Sequence, residues 1–241
     1  GTAAEIDAAL AQGADRLMLP MFDGAEALAD FCALVAGRVP VAITVFGETP
    51  EIQTGFVKAA AAAGAAFAIL QPPPVRPISE AELLRCFGEV ADAAPIPIAI
   101  QNAPQYIGVG LGDASLRALR RNHPNFALLK GEASALEIAR TIEALHGEVA
   151  VFNGRGGLEL PDCLRAGCAG MIPAPECFDL QVACYDAMRA GREDEAEAHY
   201  RAMLPLVTFM MGSIDTFVCY GMRIVVRRLG IPEVHDRAPA Q

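Results

Sequence analysis

Hydrophobic and polar positions along this chain follow two patterns that alternate with each other. Short runs are apolar almost without interruption: RLMLP (16–20), VAITVF (41–46), FAILQ (67–71), IPIAIQ (96–101), FALLK (126–130), VAVFN (149–153) and GMIPA (170–174). Such runs suit strands buried on both faces of a parallel sheet. Between them lie segments with the periodicity of amphipathic helices: DGAEALADFCALVAG, PEIQTGFVKAAAAAG, ISEAELLRCFGEVADA, DASLRALRRN, SALEIARTIEALHG and LPDCLRAG. Glycine or proline marks most returns to strand. The alternation predicts an α/β protein. Seven strands can be counted, and a helix, AEIDAALAQG, precedes the first of them. The expectation is a (β/α)8 TIM barrel whose first strand is missing from the residues given. A seven-stranded doubly wound sheet is the alternative, although the GxGxxG loop of a dinucleotide fold is absent.

After residue 176 the strand pattern stops. CFDLQVACYDAMRAG, REDEAEAHYRAMLPLVTFMM and SIDTFVCYGMRIVVRRLG all read as helices. The chain therefore divides into a β/α barrel over 1–176 and a C-terminal helical extension over 177–241, packed on the barrel. Methionines and aromatics in the extension fall at helical spacing, which predicts core or subunit packing rather than a cofactor box.

Composition narrows the classes of function. Of 241 residues, 53% are hydrophobic and 20% charged, enough for one large buried core. The net charge of −10 argues against a nucleic-acid partner, and Arg227-Arg228 is too short a basic run to change that. Positive charge for an anionic substrate must then be supplied locally. No apolar run reaches the ~20 residues of a membrane span, and no signal peptide is visible at the N-terminus. The seven cysteines, at 32, 86, 163, 168, 177, 184 and 219, are scattered and contain no CxxC pair. They read as small buried hydrophobes in a cytoplasmic protein.

Barrel enzymes carry their chemistry at the C-terminal ends of strands. Here those ends supply Thr44, Phe46, Gln71, Gln101, Asn102, Lys130, Glu132, the turn Asn153-Gly154-Arg155-Gly156-Gly157, and Pro173. Lys130 is singled out by scarcity, being one of two lysines against seventeen arginines. Enclosure at a barrel mouth strips an amine of hydration and favours its neutral form. A neutral amine can condense with a ketone, and the iminium then acts as an electron sink; arginine stays protonated and cannot. A lysine snorkelling at a strand end is the other reading. Glu132, two residues on, shares the inward face if the strand continues through Gly131, where a carboxyl could shuttle protons; a solvent-facing loop glutamate is equally compatible. The glycines at 154, 156 and 157 allow backbone amides to approach an anion, and Arg155 could clamp a carboxylate. The four histidines are not paired at ligand spacing, so neither a metal nor a cofactor is called for. There is no GxSxG for a serine hydrolase.

At IPIAIQNAPQYIGVGL, FALLKGEAS and VFNGRGG the chain resembles the dihydrodipicolinate synthase / N-acetylneuraminate lyase family of class I aldolases. The likeness runs from about residue 39 to 231 and includes YGMRIVVRRLG. It implies a (β/α)8 barrel with a helical C-terminal region, a homo-oligomer (tetramer or dimer), and a small 2-oxo acid such as pyruvate bound as a Schiff base on Lys130. Gln101 occupies the position of the family's proton-relay tyrosine, and Tyr106 that of a carboxylate-binding arginine. Pro72-Pro73-Pro74-Val75 replaces a tyrosine pair, and only Pro20-Met21-Phe22 stands where a G-T-T-G-E loop is expected. These departures argue against authentic dihydrodipicolinate synthase activity. A glutamine at 101 resembles the branch that dehydrates 2-keto-3-deoxy sugar acids.

The expected function is thus a lyase of dehydratase or aldolase type, with Lys130, Glu132 and Gln101 catalytic. Thr44, Gln71, Asn102, Tyr106, Asn153, Gly154, Arg155 and Pro173 are expected to bind substrate. A non-catalytic sugar-acid-binding or assembly paralogue, and a phosphate-binding barrel isomerase using the Gly154–Gly157 loop, are the competing readings. No membrane partner is expected.

Overall fold

The computed structural model describes residues 3–19, 24–74 and 77–230. The segment Pro20–Phe22 and Val75, which entered the family comparison, lie outside the described residues. Along the chain run α1 (Ala3–Ala11), β1 (Leu17–Leu19), α2 (Gly24–Val35), β2 (Val41–Val45), α3 (Pro50–Ala62), β3 (Phe67–Leu70) and α4 (Glu80–Ala93). Next come β4 (Ile98–Asn102), α5 (Pro104–Ile107), α6 (Asp113–Asn122), β5 (Phe126–Gly131), α7 (Ala135–Leu145), β6 (Ala150–Asn153), α8 (Leu160–Arg165) and β7 (Gly170–Met171). The chain then continues as α9 (Phe178–Arg189), α10 (Glu193–Met210) and α11 (Ile214–Leu229).

Local signals place the helix starts. Thr49 accepts a hydrogen bond from the Ile52 amide ahead of Pro50. Ser79 with Glu82 and Ser134 with Glu137 form reciprocal capping boxes before α4 and α7. The last apolar run makes strand only at Gly170–Met171, because Pro173 has no N–H to continue the ladder.

The strands pair in parallel and in chain order, β1 to β7. A doubly wound sheet would reverse its order at a switch point, and this one does not. Strand alternation divides the core into two layers. Val41, Ile43 and Val45 of β2, Ala68 and Leu70 of β3, and Ile98 and Ile100 of β4 pack outward with Leu28, Val57, Leu83, Phe87 and Leu116 of the helices. Ala42, Phe67, Ile69 and Ala99 point the other way and form an inner cluster with Leu128. Met18 of β1 and Ile172, just past β7, join that same inner cluster. Strands at opposite ends of the sheet thus share one concave face, so the sheet is curled.

One irregularity sets the facing of β5. Ile98 pairs with Phe126 but Ala99 with Leu128, so Ala127 is an extra residue in the ladder. Phe126, fully buried in the outer layer, keeps its place below this bulge, and Leu128 and Lys130 face inward above it. Phe126→Ala is expected to lower unfolding free energy by about 3–5 kcal/mol, measured by urea titration; a loss below about 1 kcal/mol would show that the bulge has no such anchor.

Helices α9 and α10 form a second apolar cluster with α8, built on Leu160, Cys177, Cys184, Met203 and Val207. Arg228 of α11 reaches both carboxylate oxygens of Asp179, at 2.5 and 2.7 Å, and ties the end of α11 to α9. Phe209, Ile214, Phe217, Tyr220 and Met222 leave an apolar face on α10 and α11 exposed. No helix among the described residues is long and apolar enough to cross a membrane.

Candidate active site

Register brings the candidate groups to one level. Gln101 pairs with Lys130 and Lys130 with Phe152, so these residues of β4, β5 and β6 lie side by side on the concave face. The Glu132 amide donates to the Asn102 carbonyl at 3.0 Å, extending the β4–β5 ladder past Gly131. Glu132 therefore keeps the inward facing of Lys130, as the two-residue spacing predicted. The Lys130 Nζ lies 2.8 Å from Glu132 Oε1, with the two side chains only 11% and 17% exposed. Gln101 bonds both: its Nε2 donates to Glu132 Oε1 at 2.8 Å, and its Oε1 accepts from Lys130 Nζ at 3.4 Å.

The amide orientation of Gln101 is itself held from behind. Gln71, just past β3, donates through Nε2 to Gln101 Oε1. Gln53 of α3, 1% exposed, donates to the backbone carbonyls of Gln71 and Gly47, both at 3.1 Å. A polar chain thus runs from α3 through β3 and β4 to the amine and carboxyl on β5. Gln53 was not picked out from sequence, and its signal was available: a glutamine in line with Val57 and Ala60 on the buried side of its helix.

Lys130, Glu132 and Gln101 open onto a cavity of about 340 Å³, within the range of small-molecule sites. Tyr106, Gly154 and Arg155 also line it. A methyl at position 154 would sit 2.5 Å from Glu132 Cγ, so glycine is what allows the carboxylate its position. Gly154→Ala is expected to displace Glu132 from Lys130, cutting turnover by about 10-fold or more in the protein that remains folded. Parallel activity and thermal-unfolding measurements check this; unchanged turnover would mean that Glu132's position is not critical.

Other expected substrate contacts lie elsewhere, for reasons of strand alternation. Asn102 and Asn153 follow the inward residues Gln101 and Phe152, so they turn away from the cavity. Asn102 makes a two-way bond with the Leu111 backbone, at 2.8 and 2.9 Å, and Asn153 donates to the Ala133 carbonyl at 3.4 Å. Thr44 pairs with Ile69, in the layer beneath Gln101 and Lys130, and is 3% exposed. Phe46 is half-exposed. Pro173 lies between the cavity-lining Ile172 and Ala174 without itself lining it. Gln71 contacts Gln101 and does not line the cavity. The Gly154 amide is taken by the Gly131 carbonyl at 3.0 Å. Arg155 does reach the cavity. It holds a backbone φ of 31°, pairs with Glu159 at 2.8 Å and donates to the Tyr106 hydroxyl at 3.3 Å.

The far wall comes from the helical extension. Val207, Met210, Met211 and Phe217 line the cavity, so these residues are not only packing elements. Two polar residues there, Glu176 and Gln181, were not anticipated. Glu176 is 7% exposed, and burial pushes its carboxyl above the usual range.

A curled parallel sheet thus carries an amine, a carboxyl and an amide clustered at its strand ends, and sequence comparison gives the family. Residues 23–241 match the dihydrodipicolinate synthetase family, and the chain belongs to that family. It is similar to the L-2-keto-3-deoxyarabonate dehydratase of Azospirillum brasilense, 31% identical over 72% of this chain and 58% of that protein. It is also similar to YagE of Escherichia coli, a putative 2-dehydro-3-deoxy-D-gluconate aldolase, 28% identical over 90% of this chain and 76% of that protein. A 4-hydroxy-tetrahydrodipicolinate synthase of Thermus thermophilus is 34% identical over 69% of this chain and 57% of its own length. The chain thus spans less than two thirds of the Azospirillum and Thermus proteins. In fold, the crystal structure of YagE with pyruvate superposes with a TM-score of 0.83 at 23% identity, covering 99% of this chain and 87% of YagE.

Proposed function

We propose that this protein is a lyase that forms a Schiff base between Lys130 and a small 2-oxo acid, and that it dehydrates or cleaves a 2-keto-3-deoxy sugar acid. The observation that carries the reading is the enclosed Lys130–Glu132–Gln101 cluster facing the cavity. Similarity to a 2-keto-3-deoxy acid dehydratase and to a putative aldolase supports the substrate class. In this reading the seven strands belong to a (β/α)8 barrel over 1–176, with 177–241 as its helical extension. The unpaired cysteines fit a cytoplasmic setting. The apolar face on α10 and α11 fits a homo-oligomer.

The chemistry follows from the geometry. Lys130 passes a proton to Glu132, 2.8 Å away, and the free amine attacks the C2 carbonyl. The carbinolamine hydroxyl takes a proton back from Glu132 and leaves as water, giving the iminium. Glu132, again a carboxylate, removes a C3 proton to form the enamine. The enamine electrons expel the C4 hydroxyl, which leaves as water with the proton Glu132 holds. Gln101 has no proton to give at neutral pH; it orients both partners. This suits dehydration better than synthesis of dihydrodipicolinate, for which the relay tyrosine is missing. Arg155 has N–H groups beyond those it gives to Glu159 and Tyr106, and these can receive the substrate carboxylate.

Borohydride reduction in the presence of pyruvate or a 2-keto-3-deoxy acid should add the reduced substrate's mass to the peptide containing Lys130. Binding of a sugar acid without adduct and without turnover would overturn the reading in favour of a non-catalytic relative.

A further inference from the structure

Two buried polar side chains line the cavity away from the reacting groups. Gln181 is 2% exposed; its Nε2 donates to the Gly156 carbonyl at 2.8 Å, and its Oε1 has no partner among the described residues. Glu176, on the single turn Pro175–Cys177, carries no ion pair among the described residues. Gly221 of α11 lets its carboxyl approach, since a Cβ there would lie 3.1 Å from Glu176 Oε1. The surrounding wall is apolar: Val207, Met210, Met211 and Phe217. A buried polar atom without a partner, as Gln181 Oε1 is here, costs stability unless a ligand satisfies it.

We propose that Glu176 and Gln181 form the subsite that recognises an uncharged, hydroxylated tail of the substrate, beyond the carbons that react at Lys130. The proposal rests on the Schiff-base reading and names what that reading leaves open. The subsite continues the wall from the reacting groups: Gly154 abuts Glu132, and Gly156 two residues later bonds Gln181. A hydroxyl both donates and accepts. Gln181 Oε1 can only accept; the Glu176 carboxyl, which burial favours in its protonated form, can donate as well. Among the described residues no cation pairs with Glu176, so a phosphorylated or carboxylated tail would find an acceptor and an acid where it needs positive charge. The specificity is therefore for polyhydroxy 2-oxo acids over dicarboxylic or phosphorylated ones.

The test compares kcat/KM for a 2-keto-3-deoxy sugar acid with that for a 4-hydroxy-2-oxo acid lacking the tail hydroxyls. The wild type should prefer the hydroxylated acid by about 100-fold. Glu176→Leu and Gln181→Leu should each reduce that preference by about 10-fold, and Glu176→Gln should retain most of it. The ratio cancels any loss of folded protein. An unchanged ratio in both leucine variants, or an equal fall for both substrates, overturns the subsite. Pyruvate trapping on wild-type Lys130 reports separately on the underlying reading, so the two failures are distinguishable.

Discussion

Lys130→Arg should leave the fold intact, keep a cation beside Glu132, and abolish turnover, with a loss on the order of 10⁴-fold or more. The reason is chemical. Arginine offers the same charge to the carboxylate and to Gln101, but it stays protonated and cannot condense with a carbonyl. Lys130→Met should be equally inactive and less stable than the arginine variant. It strands a carboxylate that is only 17% exposed with one remaining partner among the described residues, the Gln101 amide, and an unpaired buried charge is costly. Borohydride trapping, turnover and thermal unfolding on the three proteins decide the matter. An arginine variant that kept its turnover would remove the imine.

Glu132→Gln should cost about 10²- to 10⁴-fold in kcat, the usual range for loss of a general acid–base group. An imine with pyruvate should still form, more slowly, because the lysine remains. Exchange of the pyruvate methyl hydrogens in deuterium oxide should nearly cease, because that exchange needs a base at C3. Trapping and exchange, read by mass spectrometry and proton NMR, thus separate the two steps. Exchange at the wild-type rate would assign the base to another group. The substitution replaces a carboxylate that accepts from both Lys130 and Gln101 at 2.8 Å, so some disorder of the amide is expected as well.

Much of this architecture was legible in the residues. Unbroken apolar runs marked the buried parallel strands, and their periodic partners the helices. Lys130 announced itself by rarity, and its two-residue spacing from Glu132 put both on one face. Asn102 and Asn153 were misread because a strand end names a neighbourhood but not a facing; each turns outward, next to an inward residue. Thr44 was a matter of depth, since the pairing with Ile69 places it a layer below the cavity floor. Glu176 and Gln181 were hidden because the cavity wall they belong to is assembled by α9 to α11, far along the chain from β5. No local periodicity reports such a long-range closure.

The extra residue in β5 has a bearing on how the proposed chemistry could be lost. Leu128, Leu129 and Lys130 keep their partners on β4 because Ala127 is set out of the ladder, and deleting Ala127 would leave that pairing and facing unchanged. If the strand instead paired regularly through Ala127 while Phe126 held its seat under the helices, every side chain above would exchange sides. Leu129 would then fill the mouth, and the lysine would be driven among the leucines of the helices, with every residue of the reactive cluster still present in the sequence.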